Sequence, residues 1–379
     1  MKTKLSALAI ATLISTSANA VDINWNGFAS IVAGQTLSSG DSVYGFDDDI
    51  SFDKGSLIAL QASADLGSGL GVTAQLLAKG DNDWDPDFAW AYLSYDFNDN
   101  LRMLVGRQRA PFYMYSDFLD VSYAYPWITP PEGVYSLPFD TFDGVGFIYT
   151  AALGSFDTTT HFTYGSNDNE AVIAGDVVKP NFDDIAALSF TASRDWFTFR
   201  VAYAVATSTI PVAGVDALAA GWSQTPFASI GDLLKVENDD GKFLEVGFQI
   251  DYNDWLVNAE YTEIDAGDNF LNNNDSYYVM LGKRVNSVTY HFTVGKDNND
   301  GVILTNDVPV GVDPTLDFLI ANTNGATQSQ KEDTMFYTLG ARWDFHDSAA
   351  LKFEYTDFSD DLDSNGDASL LRMALVTVF

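Results

Sequence analysis

From Val21 onward the chain keeps returning to one pattern, runs of about eight to eleven residues in which every second side chain is apolar. Ile23, Trp25, Gly27, Ala29 and Ile31 open the series. Ile58, Leu60, Ala62, Ala64 and Leu66 follow, then Val72, Ala74, Leu76 and Ala78. A period of two is the strand signature, and strands of this length tilted by about 45° cross a bilayer. The pattern recurs at residues 88–97, 101–109, 142–151, 156–164, 185–193, 196–206, 243–252, 255–264, 276–285, 288–296, 334–345, 349–358 and 368–379, giving about sixteen strands. The connections alternate in length. LGSGL, NDN, GS, RD, ND, NS and HDS follow the even strands, and long acidic segments follow the odd ones. A soluble sandwich has no such rhythm. The spacing predicts an all-β fold, a transmembrane antiparallel β-barrel with short turns at the periplasmic end and long loops outside. Aromatic residues at the turn ends of strands, among them Trp25, Tyr95, Phe97, Tyr252, Trp255 and Trp343, suit an interfacial girdle.

The first twenty residues read as a cleaved secretory signal: Lys2 and Lys4, an apolar run from Leu5 to Ile14, then Ala18-Asn19-Ala20. Residues 21–379 are then one domain. No later apolar stretch is long enough for a spanning helix. Cysteine is absent, so no disulfide scaffold is available. A formal charge of −34 argues against nucleic acid as a partner, and 14% aromatic residues argue against disorder.

Residues 110–141, APFYMYSDFLDVSYAYPWITPPEGVYSLPFDT, break the pattern. Prolines remove ladder donors, so this is a loop. It is too rich in rings to lie idle in water, and the reading is a folded loop buried in a hollow body. Tyr113, Tyr115, Tyr123, Tyr125 and Trp127 either line a passage or anchor the loop to a wall.

The whole pattern resembles a Gram-negative outer-membrane porin of the sixteen-stranded trimeric type: a leader, alternating strands, a long loop after the fifth strand, and a final strand that ends in Phe379. GRQRAPF, residues 106–112, is similar to the end of strand five in several porin groups. The resemblance implies a Gram-negative outer-membrane location among lipid and lipopolysaccharide, and a homotrimer. It implies that the terminal Phe379 is read by the barrel-assembly machinery. It also implies a third loop that narrows the pore with its acids opposite a basic wall. Carried over here, the acids are Asp117, Asp120 and Glu132. Small outward residues, Gly27, Ala29, Ala62, Ala64 and Ala74, suit flat packing between subunits.

Pairing across the short turns places Asp96 opposite Arg102, and pairing Phe358 with Ala368 places Glu354 opposite Arg372. Both pairs point inward. Arg342 and Lys352 also fall opposite each other and should repel unless something lies between them. Lys79, Arg102, Arg342, Lys352 and Arg372 are therefore predicted as a basic lumen wall. Strict alternation aims Arg107 and Arg109 at lipid. Either they sit at the headgroups, or a bulge at Gly106 turns both into the lumen, the favoured reading.

The function expected is passive diffusion of small hydrophilic solutes and ions, weakly cation-selective because acids crowd the outer loops. The alternatives are a porin selective for a sugar or small carboxylate, and an adhesin or receptor built on the loops at 207–241 and 297–333. Enzymic function is not expected: His161, His291 and His346 are the only histidines and no GxSxG occurs. No cofactor or metal is expected. The run Asp361, Asp363, Asn365, Gly366, Asp367 resembles a calcium loop, but Arg372 stands where its closing Glu belongs.

Overall fold

The computed structural model describes residues 21–173, 175–362 and 367–379. The leader expected over residues 1–20 lies outside them. Sixteen strands close into one barrel. The first seven are β1 (Ile23–Thr36), β2 (Leu57–Gly67), β3 (Leu70–Lys79), β4 (Pro86–Asp96), β5 (Leu101–Arg109), β6 (Thr141–Leu153) and β7 (Phe156–Asn167). A small hairpin, β8 (Ala171–Ile173) and β9 (Asp176–Val178), stands apart from the barrel. The wall resumes with β10 (Asn181–Arg194), β11 (Phe197–Ile210), β12 (Val236–Tyr252), β13 (Trp255–Asp265) and β14 (Asn274–Val285). It ends with β15 (Val288–Asn299), β16 (Glu332–His346), β17 (Ala349–Asp360) and β18 (Ala368–Val378).

Every barrel strand runs antiparallel to its neighbours, and β1 pairs with β18 to close the wall. The sixteen alternating segments are these sixteen strands. Some extend further than alternation indicates. β12 begins at Val236 rather than Phe243, because VENDDGK keeps its ladder bonds after the sequence has turned polar. Short turns use the expected chemistry: Asn253 and Asp254, both at positive φ, join Tyr252 to Trp255 in a two-residue hairpin. At the seam, Gly27 N donates to Phe379 O (2.7 Å) and Phe379 N donates to Gly27 O (2.9 Å). The Phe379 ring lies over Gly27, in space that any Cβ there would occupy.

The outer surface is apolar, with Ile31, Leu60, Leu93, Phe162, Leu281 and Leu375 among its exposed side chains. The aromatic residues at the turn ends are exposed with them. The interior is filled by loops. Helices that alternation did not indicate occupy two of them: α1 (Ala213–Trp222) and α2 (Ala228–Leu233) between β11 and β12, and α3 (Pro314–Gln328) between β15 and β16. Asp313 caps α3 by accepting from Thr315 N (2.7 Å), with Pro314 at the first helical position. Trp222 Nε1 donates to Thr323 Oγ1 (2.8 Å), tying α1 to α3. Val215, Trp222 and Leu319 join Phe112 and Tyr113 of the 110–140 loop in one buried cluster, so both long loops turn apolar faces to the barrel interior.

Candidate functional site

The loop at residues 110–140, called L3 here, runs through the barrel interior and is held from several sides. The chain leaves β5 at Arg109 and makes two short 3-10 turns, Ser116–Phe118 and Ser122–Ala124. On the β11–β15 side, Arg200 Nη2 donates to Pro111 O (2.6 Å). Glu260 accepts from Met114 N (2.8 Å), Tyr135 OH (2.5 Å) and Tyr278 OH (2.6 Å). Trp127 Nε1 donates to Thr293 Oγ1 (2.8 Å). Arg200, Glu260 and the fully buried Glu245 are absent from the sequence expectation. The signal was present: Phe199, Tyr203 and Val246 alternate outward, which turns Arg200 and Glu245 inward.

The wall of β16–β18 holds the loop's far limb. Arg342 and Lys352 are register partners, as their spacing indicated, and the L3 main chain lies between them. Lys352, fully buried, donates to the carbonyls of Ser122 (2.5 Å), Tyr125 (2.9 Å) and Trp127 and to Ser122 Oγ (3.1 Å). Arg342 donates to Tyr123 O (2.6 Å) and Tyr125 O (3.1 Å), and its Nε to Asp344 (2.8 Å). Its guanidinium also lies 4.7 Å from the centre of the Tyr123 ring. Dipolar carbonyls thus screen two like charges that would otherwise repel. Next to them, Glu354 is the register partner of Arg372 and accepts from it at 2.9 Å, and its other oxygen accepts from Ile128 N (2.8 Å).

The loop's acids divide. Asp120 is buried between Lys79 Nζ (3.1 Å) and Arg109, and Arg109 also reaches Asp140. Burial alone would raise its carboxyl; the two cations override that and hold it below its ordinary 3.8. Glu132 is half-buried and lies 3.5 Å from Arg372. Desolvation inside the barrel raises it above 4.5 despite that cation. Asp117 is exposed and has no basic partner among the described residues.

Two arginines stand elsewhere than expected. Arg102 is the register partner of Asp96 and binds it through two bonds (2.5 and 3.0 Å), at the turn end of the barrel and away from L3. Arg107 keeps the outward parity of Val105 because the ladder to β6 runs through Gly106 without inserting a residue. Its charge is met by Asp143 through two bonds of 2.9 Å. Only Arg109, the last residue of β5, turns inward; the expected bulge is not there. Of the rings, Tyr113, Tyr115, Tyr125 and Trp127 are buried in the packing between L3 and the wall, and Tyr123 is half-exposed. Burial holds the hydroxyls of Tyr113, Tyr115 and Tyr125 protonated.

Two cavities flank the loop. A larger one of about 970 Å³ lies at the loop end, lined by Phe112, Phe243 and Phe358 together with Asp265, Asp297, Glu332 and Asp360 and with Lys242 and Lys331. A smaller one of about 500 Å³ lies between L3 and β1–β4, where Asp117 and Phe118 face the wall. His161 and His291 are buried, and His346 ends β16, where it pairs with Ala349 rather than lying in the turn as its sequence position suggested. Among the described residues no group of three or more acidic, His or Cys side chains is arranged to hold a metal, and part of the calcium-like run lies outside them.

Comparison with known proteins agrees with this architecture. The family model described as Gram-negative porin matches residues 6–371. No curated sequence matches the chain significantly. Among solved structures, the outer membrane channel DcaP of Acinetobacter baumannii superimposes with a TM-score of 0.59 at 13% identity, covering 97% of this chain and 100% of that one. Salmonella typhi OmpF gives 0.59 at 11%, covering 94% and 97%. A loop L8 deletion mutant of Vibrio cholerae OmpT, an outer membrane protein, gives 0.58 at 13%, covering 95% and 100%. At these identities the likeness is one of fold.

Proposed function

Because the chain belongs to the Gram-negative porin family and forms an outer-membrane channel, we propose that it passes small hydrophilic solutes and ions by diffusion, with a weak preference for cations. The observation that carries the reading is the closed barrel with L3 folded inside it and a cavity on either side. Charge supports the cation preference. Four carboxylates and two ammonium groups line the outer cavity, and one of the four, Asp265, is paired with Lys242 at 2.9 Å. A negative vestibule with low-dielectric walls concentrates cations at the entrance.

At the constriction, Asp120 and Glu132 are paired in contact with Lys79, Arg109 and Arg372, and Asp117 is the loop acid left exposed; a passage lined by charged and polar groups favours polar over apolar solutes. A homotrimer is part of the proposal. One related solved structure is the trimer form of Vibrio cholerae OmpT, with a TM-score of 0.55 at 13% identity. The small outward residues on β1–β3 suit a flat interface. Phe379, outward at the seam, suits recognition by the assembly machinery, with lipid and lipopolysaccharide around the wall.

The test is a planar-bilayer recording of the purified protein. Stepwise conductance is expected, with a reversal potential in a salt gradient of the sign that marks cation preference. Absence of steps defeats the channel reading, and the opposite sign defeats the selectivity.

A further inference from the structure

Four inward side chains lie side by side across β1, β2, β3 and β4: Asn26 opposite Gln61, Gln61 opposite Gln75, and Gln75 opposite Trp90. Their direction follows from parity. Phe28, Ala59 and Leu77, two residues along each of the first three strands, are buried against Val121 of L3. No charged side chain interrupts the row, although the chain carries a net charge of −34. Gln75 Nε2 donates to Gln61 Oε1 at 2.9 Å. Whichever way the two amides are turned, the pair keeps one NH₂ and one carbonyl free of protein partners. The row forms one side of the 500 Å³ cavity. The other side is the L3 turn, with the exposed Asp117 and the Phe118 ring. Arg109 and Asp120 at its edge already neutralise each other.

We propose that this cavity is a binding subsite for neutral saccharides, so that mono- and disaccharides belong to the channel's substrate class. The inference rests on the channel reading above. Its volume lies in the range of small-molecule sites, roughly 300–1,000 Å³. A sugar hydroxyl both donates and accepts, and an amide pair with one free donor and one free acceptor meets both needs; Asp117 accepts a further hydroxyl. The rings of Trp90 and Phe118 cover the apolar face of a pyranose. An anion finds no free counter-charge along the row, a cation meets only Asp117 opposite it, and an apolar solute leaves the amides unpaired, which is costly.

The experiment uses the full-length protein in planar bilayers with sucrose as the probe and triethylene glycol as the control solute. Sucrose is expected to reduce the current saturably. The half-blocking concentration should rise roughly tenfold in the Gln61→Ala/Gln75→Ala double variant and again in Trp90→Ala alone, as loss of about two hydrogen bonds or a stacking face requires. Triethylene glycol should reduce current only as it reduces bulk conductivity. The two variants are made separately so that one misfolded protein does not remove the test. Intact conductance steps on which sucrose acts no differently from the glycol overturn the saccharide site. Unchanged half-blocking concentrations in both variants overturn its placement. A wild-type protein without steps overturns the channel reading first and the subsite with it.

Discussion

The two walls on either side of the β1/β18 seam use polar side chains in opposite ways. On β16–β18, Arg342, Lys352, Glu354 and Arg372 spend their hydrogen bonds on L3, largely on its main chain. On β1–β4 the row from Asn26 to Trp90 lines a cavity and makes one internal bond and none to L3, with Trp90 Nε1 buried and unpartnered. A basic residue in a lumen wall is therefore not by default a pore charge. Burial decides it. Lys352 at 1% exposure has no path to a solute, and its ammonium acts as a bolt through three carbonyls of the loop. On the neutral wall Gln75 is buried too, at 4% exposure, and what leaves its amide available is that its one side-chain bond goes to Gln61 and none to L3.

The contrast breaks most visibly at Lys352. Lys352→Met keeps an unbranched stem out to Cε, removes the ammonium, and leaves the carbonyls of Ser122, Tyr125 and Trp127 buried without that donor. The expected loss is about 3 kcal/mol, the scale for breaking a buried charged contact. It would be read as a lower urea midpoint of heat-modifiable protein and as noisier single-channel current from a loosened L3. Gln61→Ala on the other wall should cost no more than about 1 kcal/mol, one neutral hydrogen bond. Equal midpoints for the two variants would show that Lys352 does not hold the loop.

Asp120 tests the hold of L3 on β3 and β5. Its folded carboxyl is held below 3.8, so its contribution to stability is complete above the unfolded value and is lost as pH falls through the depressed folded value. Glu132 has the opposite sign. Its folded value is raised above 4.5, so protonation in acid favours the folded loop and offsets part of the loss. The unfolding midpoint should fall below about pH 4, and Asp120→Asn should flatten that limb while lowering stability at neutral pH. With Lys79 left unpaired and Arg109 held by Asp140 alone, the reversal potential should also move towards anions. An acid limb as steep in Asp120→Asn as in wild type would place the titration elsewhere.

Much of this was legible before any coordinates. Alternation located all sixteen strands, short turns gave the registers of Asp96 with Arg102 and Arg342 with Lys352, and pairing Phe358 with Ala368 across the last loop gave that of Glu354 with Arg372. These follow from a period of two, which local sequence expresses directly. What L3 does with those residues is not local. The bolt through Lys352 joins groups some 230 positions apart, a separation that no periodicity encodes. Arg107 was misdirected because a glycine permits a bulge without requiring one, and the ladder through Gly106 adapts by a φ of +130° instead. The helices α1 and α3 leave no mark in a period of two, because they lie inside loops and their apolar residues pack on one another. The amide row lies in strands that alternation locates, at Gln61, Gln75 and Trp90, but neutral side chains carry no charge pairing that would single them out in sequence.

The smallest effect belongs to Asp117, and it separates a pore acid from an anchoring one. Asp117 is exposed, faces the neutral wall across the smaller cavity, and has no basic partner among the described residues. Asp117→Asn should therefore change stability by less than about 0.5 kcal/mol. It should reduce cation preference, and by less than Asp120→Asn, which removes the same single charge but from a buried site, leaving Lys79 unpaired and Arg109 with Asp140 alone. Because Asp117 is in contact with solution, the shift should fade with salt, as the screening length falls from about 10 Å at 0.1 M to about 3 Å at 1 M. The Asp120→Asn shift, arising from charges held in a buried site, should persist better. Reversal potentials of both variants at the two salt concentrations give the comparison. A salt-insensitive Asp117→Asn shift as large as that of Asp120→Asn would mean that exposure does not distinguish the two acids, and that the divided reading of L3 has the wrong physical basis.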